Sequence, residues 1–264
     1  MSFFNAKGIS AGYGKGNIIE NISFEIDSGV LMGVIGANGS GKTTLLKSLC
    51  GILPHKGNCE LDGAILEELS PRQISRSVSY IPQRSGISID ISVLDVVLMG
   101  FNSELGLLEH PTQKMKAQAI AALETVGLHG KTDDNYLTLS EGQKQLCILA
   151  RTIVSDRKLL LLDEPESALD FRFRHNMLGL IGNFVEKEKR SAIVTLHDPF
   201  LALNFCHKLL LLADGGVLGV IDPKNDPLEE MEQKLSMIYG KVSLQRCCNR
   251  RGEAVIVMLK EEQI

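Results

Sequence analysis

Hydrophobic and polar positions near the amino terminus follow a pattern typical of β-strands. Apolar and polar residues alternate over residues 22–26, and an apolar run covers residues 30–35. Later apolar runs at 159–162, 192–196 and 208–212 are of the type found in buried parallel strands. The pattern therefore predicts a buried sheet built from segments spread over most of the chain.

Helical signals separate these strand-like runs. The segments Ser70–Gln73 and Ser140–Gln143 have the composition of capping boxes, which begin helices. Residues 86–138 have a helical character, and Ala117, Ile120 and Ala121, with Leu123 more loosely, are predicted to share one helix face. Strands that alternate with helices predict a largely parallel sheet covered on both faces. We expect one domain over residues 1–264, with a helical subdomain inserted at approximately 86–155.

Composition and charge exclude several classes of function. The 264 residues include 44% hydrophobic and 23% charged residues, with a formal net charge of -4. So mildly acidic a chain lacks the basic footprint of a general nucleic-acid binder, and we expect no nucleic-acid partner. The apolar runs are far too short to cross a bilayer, and we expect no targeting segment. Any work at a membrane would therefore depend on docking onto another protein.

The six cysteines are scattered, without a Cys-x-x-Cys pair or a repeated spacing. We expect most of them to be small buried apolar residues in a reducing cytosol. The adjacent Cys247 and Cys248 have no cluster of further metal ligands near them in the sequence. The role of this pair stays open.

One glycine-rich segment carries a phosphate-binding pattern. Residues 36–43 read Gly-Ala-Asn-Gly-Ser-Gly-Lys-Thr, between a predicted strand and a predicted helix. The glycines let backbone N–H groups converge on a phosphate, and the positive end of the helix adds to the attraction. Lys42 is expected to reach the β- and γ-phosphates, and Thr43 to offer its hydroxyl to Mg²⁺. The residues expected to contact the nucleotide here are Gly36, Asn38, Gly39, Ser40, Gly41, Lys42, Thr43 and Thr44.

An acidic pair follows the apolar run 159–162. Ligands of open α/β sheets bind at the carboxyl ends of strands. Asp163 is therefore placed to support Mg²⁺, and Glu164 to polarise an attacking water as general base. Such a pair can also serve the amino terminus of a helix. Its combination with the phosphate-binding loop favours nucleotide hydrolysis.

Further motifs follow in a characteristic order. They are Tyr80-Ile-Pro-Gln83, Leu139-Ser-Glu-Gly-Gln143, the strand ending in Asp163, Ser167-Ala-Leu-Asp170 and His197. Over nearly its whole length the chain resembles the nucleotide-binding subunit of an ATP-binding-cassette (ABC) transporter. The resemblance implies an α/β P-loop NTPase fold with a mostly parallel sheet core, an antiparallel β subdomain and a helical subdomain. It also implies an ATPase that uses ATP and Mg²⁺.

The resemblance assigns roles to single residues. Gln83 matches the glutamine that contacts Mg²⁺ and water and reports to the membrane subunit. His197 matches the catalytic switch histidine at the γ-phosphate, Asp170 the loop aspartate that links two subunits, and Tyr13 the aromatic residue that stacks on adenine. Taken alone, each has a plainer interpretation as a solvated or structural residue. The set as a whole favours the family roles.

The signature segment implies a second subunit. Ser140, Gly142 and Gln143 begin a predicted helix, whose free N–H groups and dipole favour an anion. In the family this helix start faces the γ-phosphate that the other subunit of a homodimer holds, so ATP lies between two subunits. Three residues depart from the commoner family pattern, namely Glu141, Lys144 and Glu166. A carboxylate at position 141 would weaken closure on ATP if it pointed at the triphosphate.

Weaker similarities suggest the type of transporter. Segments 80–83, 93–100, 145–151 and 237–241 resemble ATPases of importers for iron chelates, haem and cobalamin. Such a subunit is expected to lie peripherally on the cytoplasmic face of the membrane, with integral-membrane permease subunits and an extracytoplasmic substrate-binding protein as partners. The alternatives are another metal or oxyanion importer, such as one for molybdate, and a soluble ATPase of this superfamily in DNA repair or translation. The sequence leaves the transported ligand and the permease open.

Overall fold

The computed structural model describes residues 2–14, 16–83, 86–106, 108–166 and 169–261. The strands are β1 (Phe4–Ala11), β2 (Ile19–Ile26), β3 (Leu31–Gly36), β4 (His55–Leu61), β5 (Ala64–Ile65), β6 (Val78–Ile81), β7 (Leu159–Asp163), β8 (Ser191–Thr195), β9 (Lys208–Ala213), β10 (Gly216–Ile221), β11 (Val242–Cys248) and β12 (Ala254–Lys260). The α-helices are α1 (Lys42–Leu49), α2 (Pro71–Ser77), α3 (Val93–Leu98), α4 (Gln113–Thr125), α5 (Glu141–Val154), α6 (Phe171–Glu188), α7 (Pro199–Phe205) and α8 (Leu228–Tyr239). Short 3-10 helices cover Leu66–Glu68, Met99–Phe101 and Tyr136–Thr138.

The central sheet has the strand order β10-β9-β3-β8-β7-β6. Neighbouring strands are parallel except β10 and β9, which are antiparallel. The predicted runs 159–162, 192–196 and 208–212 form β7, β8 and β9, within one residue at each boundary. The α/β class and the mostly parallel core are therefore confirmed.

Alternating side chains of the central sheet face two different hydrophobic clusters. Leu160 and Leu162 of β7 belong to a cluster shared with α3, α5 and α6, whereas Leu159 and Leu161 belong to one shared with α1 and the antiparallel sheet. All four leucines are at most 1% exposed. Each such burial contributes about 1.5–3 kcal/mol, so the strand that ends at Asp163 is firmly held from both sides.

A second, antiparallel sheet has the order β2-β1-β4-β5. It packs Phe4, Ile9 and Ile22 into the cluster that also holds Leu45 and Leu46 of α1. This confirms the antiparallel β subdomain. Strands β11 and β12 form a separate antiparallel hairpin near the carboxyl end.

Helices α3, α4 and α5 pack against one another between β6 and β7 in the chain. The predicted face of Ala117, Ile120 and Ala121 in α4 is exposed, and the helix buries Leu123 together with Ala119 and Ala122 instead. The buried face follows from where α3 and α5 lie, which the α4 sequence alone does not reveal. Both predicted capping boxes are present, at the starts of α2 and α5. Within the described residues, no helix is long and apolar enough to span a bilayer.

Candidate ATP-hydrolysing site

The phosphate-binding loop lies between β3 and α1. Gly41, which caps the amino terminus of α1, has a φ of 97°. A Cβ atom there would lie 2.3 Å from Cγ2 of Ile19, so both the backbone conformation and the space require glycine. The loop borders a cavity of about 400 Å³. The cavity is lined by Ile18, Asn38, Gly39, Gly41, Lys42, Thr43, Thr44, Glu164 and His197.

Lys42 lies almost fully buried at the base of this cavity, with 5% of its surface exposed. Its Nζ donates hydrogen bonds to the carbonyl oxygens of Gly36 at 2.9 Å and Ala37 at 3.2 Å. Burial lowers the pKa of Lys42, while the neighbouring carboxylates, Glu164 foremost, act in the opposite direction. The ammonium group of Lys42 is therefore held beside the loop at which a triphosphate would bind.

Three hydroxyl groups converge on the buried Asp163. Its Oδ1 accepts hydrogen bonds from the hydroxyls of Thr43 and Thr195, both at 3.0 Å, and its Oδ2 accepts one from Tyr80 at 3.0 Å. Burial, reinforced by the charge of Asp163, raises the pKa of Tyr80, so the phenol stays a donor. These contacts fix the carboxylate beside the phosphate-binding loop.

Glu164 adopts a strained backbone conformation with a φ of 48°, which is rare for a residue other than glycine. Its backbone N–H donates to the Thr195 hydroxyl at 2.8 Å. Its Oε2 accepts a hydrogen bond from Nε2 of Gln83 at 2.8 Å, and its Oε1 lies 2.5 Å from Nε2 of His197. The structure thus brings Gln83, Glu164 and His197 together at the cavity.

A third carboxyl group, that of Glu166, lies beneath this site and is only 2% exposed. Its Oε1 accepts a hydrogen bond from the backbone N–H of His197 at 3.4 Å, and its buried Oε2 has no hydrogen-bond partner among the described residues. Burial raises the pKa of Glu166 to about 7. Glu166, which departs from the family pattern, is therefore a buried acid in contact with the backbone of His197.

The signature segment lies apart from the cavity, whose lining includes no described residue of 140–143. Ser140 and Gln143 satisfy each other, because Ser140 Oγ accepts from the Gln143 N–H at 3.3 Å and Gln143 Oε1 accepts from the Ser140 N–H at 3.1 Å. Gly142 is buried, and a Cβ there would lie 3.0 Å from the ring of Phe173. The side chain of Glu141 is 64% exposed and pairs with Lys144 Nζ at 2.8 Å.

Asp170 and Tyr13 also lie outside the cavity lining, as do the predicted site residues Gly36, Ser40, Gln83 and Asp163. Asp170 caps the amino terminus of α6, where its Oδ1 accepts from the Phe173 N–H at 3.0 Å. Ser167 and Ala168 of the same motif lie outside the described residues. Tyr13 is 54% exposed, and its ring centroid lies 5.9 Å from Nζ of Lys47 in α1.

The contacts of Thr195 with the acidic pair were not predicted from the sequence, and Tyr80 was predicted only as a member of a motif, without a role of its own. Thr195 ends β8, which pairs directly with β7 in the sheet, so its hydroxyl reaches both Asp163 and Glu164. A polar residue at the end of a buried strand was the available signal. The strand order that makes β8 the neighbour of β7 is not readable from periodicity.

Comparison with known sequences decides the family. The sequence model of the family described as "ABC transporter" matches residues 19–167. The chain belongs to the ABC transporter family. The ABC chain is thus an ATP-binding, ATP-hydrolysing domain, as the motifs predicted.

Curated relatives of the ABC chain include transport ATPases with stated cargo. A probable iron chelatin transport ATP-binding protein of Helicobacter pylori is 34% identical over 79% of this chain and 82% of its own length. The hemin import ATP-binding protein HmuV of Deinococcus radiodurans is 36% identical over 78% of this chain and 79% of its own. An uncharacterised ABC transporter ATP-binding protein of Bacillus subtilis is 31% identical over 89% of this chain, which spans 53% of the length of that relative.

Solved structures share the fold of the ABC chain. An inward-facing putative metal-chelate type ABC transporter matches with a TM-score of 0.83 and 26% identity, over 99% of both chains. A dimeric ATP-binding cassette bound to ADP and Pi matches with a TM-score of 0.74 and 20% identity, over 84% of this chain and 100% of its own. At that identity the second match shows the fold alone.

Proposed function

We propose that this ABC ATPase powers the import of an iron chelate, haem or cobalamin through a separate permease. The observation that carries the proposal is the match to the metal-chelate transporter, which covers 99% of this chain. A match that long includes the carboxyl-terminal hairpin of β11 and β12, whereas the dimeric cassette covers only 84% of this chain. The relatives named for iron chelatin and hemin transport point to the same cargo class.

The contacts in the cavity support a division of chemical roles. Thr43 and Asp163 offer oxygen ligands 3.0 Å apart, a donor set that suits Mg²⁺, and Gln83, the third proposed ligand, hydrogen-bonds to Glu164, the residue that follows Asp163. Bound Mg²⁺ would neutralise charge on the β- and γ-phosphates. Lys42 supplies a second positive charge, and backbone N–H groups of the loop bind the phosphate oxygens.

Glu164 is the proposed general base, and His197 the residue that senses the γ-phosphate. Both carboxylate oxygens of Glu164 are engaged, one with Gln83 and one with His197. A carboxylate held from two sides is oriented, and it accepts a water proton once one of these contacts is exchanged for water. In this role Gln83 and His197 orient Glu164 and polarise the reacting groups.

The signature segment is proposed to act on ATP held by a second copy of this chain. Ser140 and Gln143 begin a helix of 14 residues, whose amino terminus attracts anions, yet the cavity of the same chain is lined by other residues. A head-to-tail homodimer would bring this helix start to the γ-phosphate, with Asp170 at the interface and Tyr13 on the adenine. The ion pair with Lys144 holds the carboxylate of Glu141 close to its own helix and offsets its charge.

The helical subdomain, approximately residues 86–155, is the proposed docking site for the permease at the cytoplasmic face of the membrane. A cleft of about 480 Å³ separates it from the core sheet, and Tyr80 lies in its lining together with Gly100 and Arg151. Tyr80 donates to Asp163, and Gln145 of α5 donates to the Gln83 carbonyl at 3.2 Å. A permease segment in this cleft would therefore contact Tyr80, which hydrogen-bonds directly to Asp163 of the ATP site.

Uptake of labelled ligands by a strain that lacks this gene tests the cargo. We expect accumulation of one ligand among ferric chelate, haem and cobalamin to fall, with sugar and amino-acid uptake intact and rescue by the wild-type gene but not by Glu164→Gln. Unchanged uptake of all three ligands would contradict the proposal, and loss of molybdate uptake would identify an oxyanion importer.

Cross-linking tests the docking site. Asn102 is exposed and lines the cleft, whereas Lys116 is exposed on α4 and does not line it. Asn102→Cys should cross-link to the permease in membranes, and Lys116→Cys should not. Equal capture from both positions, or capture from Lys116→Cys alone, would place the permease elsewhere.

A further inference from the structure

A second cluster of chemically reactive side chains lies in the antiparallel sheet, outside the ATP site. His55 begins β4, Cys59 lies further along the same strand, and Glu67 belongs to the 3-10 helix Leu66–Glu68. The imidazole nitrogen, the thiol sulfur and a carboxylate oxygen of these residues all lie within 4.8 Å of one another. The cluster has no part in the ATP chemistry proposed above.

The carboxylate of Glu67 connects the other two members. Its Oε1 accepts a hydrogen bond from the backbone N–H of Cys59 at 2.8 Å and lies 2.9 Å from Nε2 of His55. The Cys59 thiol is fully buried and lies within 4.8 Å of this carboxylate. The three side chains are therefore already directed at a common point, which lowers the entropic cost of binding a ligand there.

The backbone between His55 and Cys59 is shaped by Gly57, which has a φ of 92°. A Cβ at this position would lie 2.4 Å from the Lys7 carbonyl oxygen of β1, and the pairing register of β1 with β4 shifts between Lys7 and Ser10. Only glycine fits such a position. The irregular strand brings two residues that are four positions apart to the same carboxylate.

The set of one imidazole, one thiol and one carboxylate suits a borderline divalent ion. Bonds from zinc to nitrogen and sulfur are about 2.1 and 2.3 Å long, so ligand atoms around one tetrahedral ion lie roughly 3.3–3.8 Å apart. A separation of up to 4.8 Å requires the farthest pair of ligand atoms to close by about one ångström, whereas His55 Nε2 and Glu67 Oε1, which are 2.9 Å apart, would move slightly apart. Solvent reaches the cluster, because the side chain of Glu67 is 28% and that of His55 is 9% exposed.

We propose that His55, Cys59 and Glu67 bind one zinc-like divalent transition-metal ion, with water in the fourth coordination position. On binding, the thiol of Cys59 releases its proton to solvent and the sulfur–metal bond takes its place, with no change of oxidation state. The ion would join β4 to the 3-10 helix after β5. Bound metal should therefore raise the melting temperature of the full chain.

Cobalt serves as the probe, because a thiolate bound to Co²⁺ gives a charge-transfer absorption band that oxygen ligands do not give. The described lining of the ATP cavity includes the His197 imidazole but no thiol, so metal bound there cannot produce this band. The exposed Cys247 and Cys248, and the partly buried Cys50, are first replaced by serine in the full-length chain, which removes the thiols that could compete for the metal at the surface. We expect a band that saturates at one equivalent of Co²⁺, that Zn²⁺ abolishes by competition, and that accompanies a rise in melting temperature.

Variants separate this cluster from the other cysteines. Cys59→Ala should remove the band, and His55→Gln and Glu67→Gln should each weaken Co²⁺ binding by more than the roughly 10–100-fold that loss of an outer-shell partner costs. Cys147→Ala, at a buried cysteine in α5, should leave the band unchanged. His55 and Glu67 are not core residues, so their variants report even if Cys59→Ala fails to fold. Absence of the band from the parent protein, or an unchanged affinity in both His55→Gln and Glu67→Gln, would overturn the proposal.

Discussion

The ATP cavity and the start of α5 differ in where their polar contacts come from. In the cavity, the contacts of Asp163 and Glu164 come from the phosphate loop, β6, β8 and the segments after β6 and β8. At the start of α5, Ser140 bonds Gln143 within one helical turn. The cavity is thus held by contacts between distant elements of the fold, whereas the signature turn is held by hydrogen bonds within one helical turn. A turn that keeps its shape alone and stays outside its own cavity is suited to act on another subunit.

The largest effect is expected when the most constrained residue of the cavity loses its charge. Glu164→Gln keeps the shape and the contact with Gln83 but cannot accept a proton from water. Steady-state ATPase activity should fall by roughly 10²–10⁴-fold, the usual contribution of a positioned base. ATP binding, measured with a fluorescent nucleotide, should persist because Lys42 and the loop are intact. Hydrolysis at nearly the wild-type rate would show that another group activates the water.

Titration of Glu166 should make the free energy of unfolding of the protein depend on pH. The folded protein keeps this proton up to about pH 7, whereas an unperturbed glutamate releases it near 4.5. Because the folded state binds the additional proton, its stability should fall as pH rises through this window. The shift corresponds to about 3 kcal/mol in the free energy of unfolding.

Denaturant unfolding between pH 5 and pH 8 measures this effect. Glu166→Gln should remove this loss of stability at rising pH, so that the variant is more stable than the wild type at pH 8. Glu60→Gln, which changes an exposed carboxylate of β4, should show the same pH profile as the wild type. Parallel pH profiles for all three proteins would show that Glu166 does not titrate in this window.

Removing one hydroxyl should loosen the carboxylate of Asp163 and the backbone of Glu164. Thr195→Val deletes the group that donates to Asp163 and accepts from the Glu164 N–H. Leaving buried partners unsatisfied costs about 1–3 kcal/mol, and we expect ATPase activity to fall by roughly tenfold or more. Thr152→Val is the matched control, because Thr152 is also buried but bonds the Ile148 carbonyl within α5. A similar loss of activity in both variants would mean that general destabilisation is responsible.

The smallest effect is expected at the signature turn. Lys144→Ala removes the partner of Glu141 and exposes a carboxylate at the start of α5. Because surface ion pairs contribute about 0.2–1 kcal/mol, the KM for ATP should rise by no more than about fivefold. Adding Glu141→Gly should reverse the rise. A higher KM that persists in the double variant would show that Lys144 acts on ATP independently of Glu141.

Local patterns predicted the parts of the structure that local forces determine. The loop at Lys42, the strand ending at Asp163 and the capping boxes of Ser70 and Ser140 are all present where the sequence placed them. Strand β4 was not predicted, because its residues His55–Asn58 are polar or glycine and show no alternation. It forms because β1 supplies hydrogen-bonding partners from a distant part of the chain.

Relations across the sheet could not be predicted in the same way. The contacts of Tyr80 and Thr195 with Asp163 depend on the order β8-β7-β6. The direction of Glu141 depends on a single rotamer beside Lys144. The cluster at Cys59 combines an irregular strand with a helical turn, at a spacing that matches no metal-binding motif. In each case the contact depends on where a neighbouring strand or side chain lies in the fold, and the sequence pattern does not reveal that position.

Mixing two inactive variants tests the central claim, that the signature turn acts on ATP held by another copy of the chain. Lys42→Ala should spoil only the site that it anchors, and Ser140→Arg should block only the site of its neighbour. Each homodimer then has two defective sites, whereas a mixed dimer carries both defects in one site and leaves the other intact. We predict that mixed dimers in a Glu164→Gln background, verified by differential tags, trap ATP at about one site per dimer, while each parent traps almost none. Mixed dimers that trap no more ATP than the parents would show that Ser140 does not act across the interface.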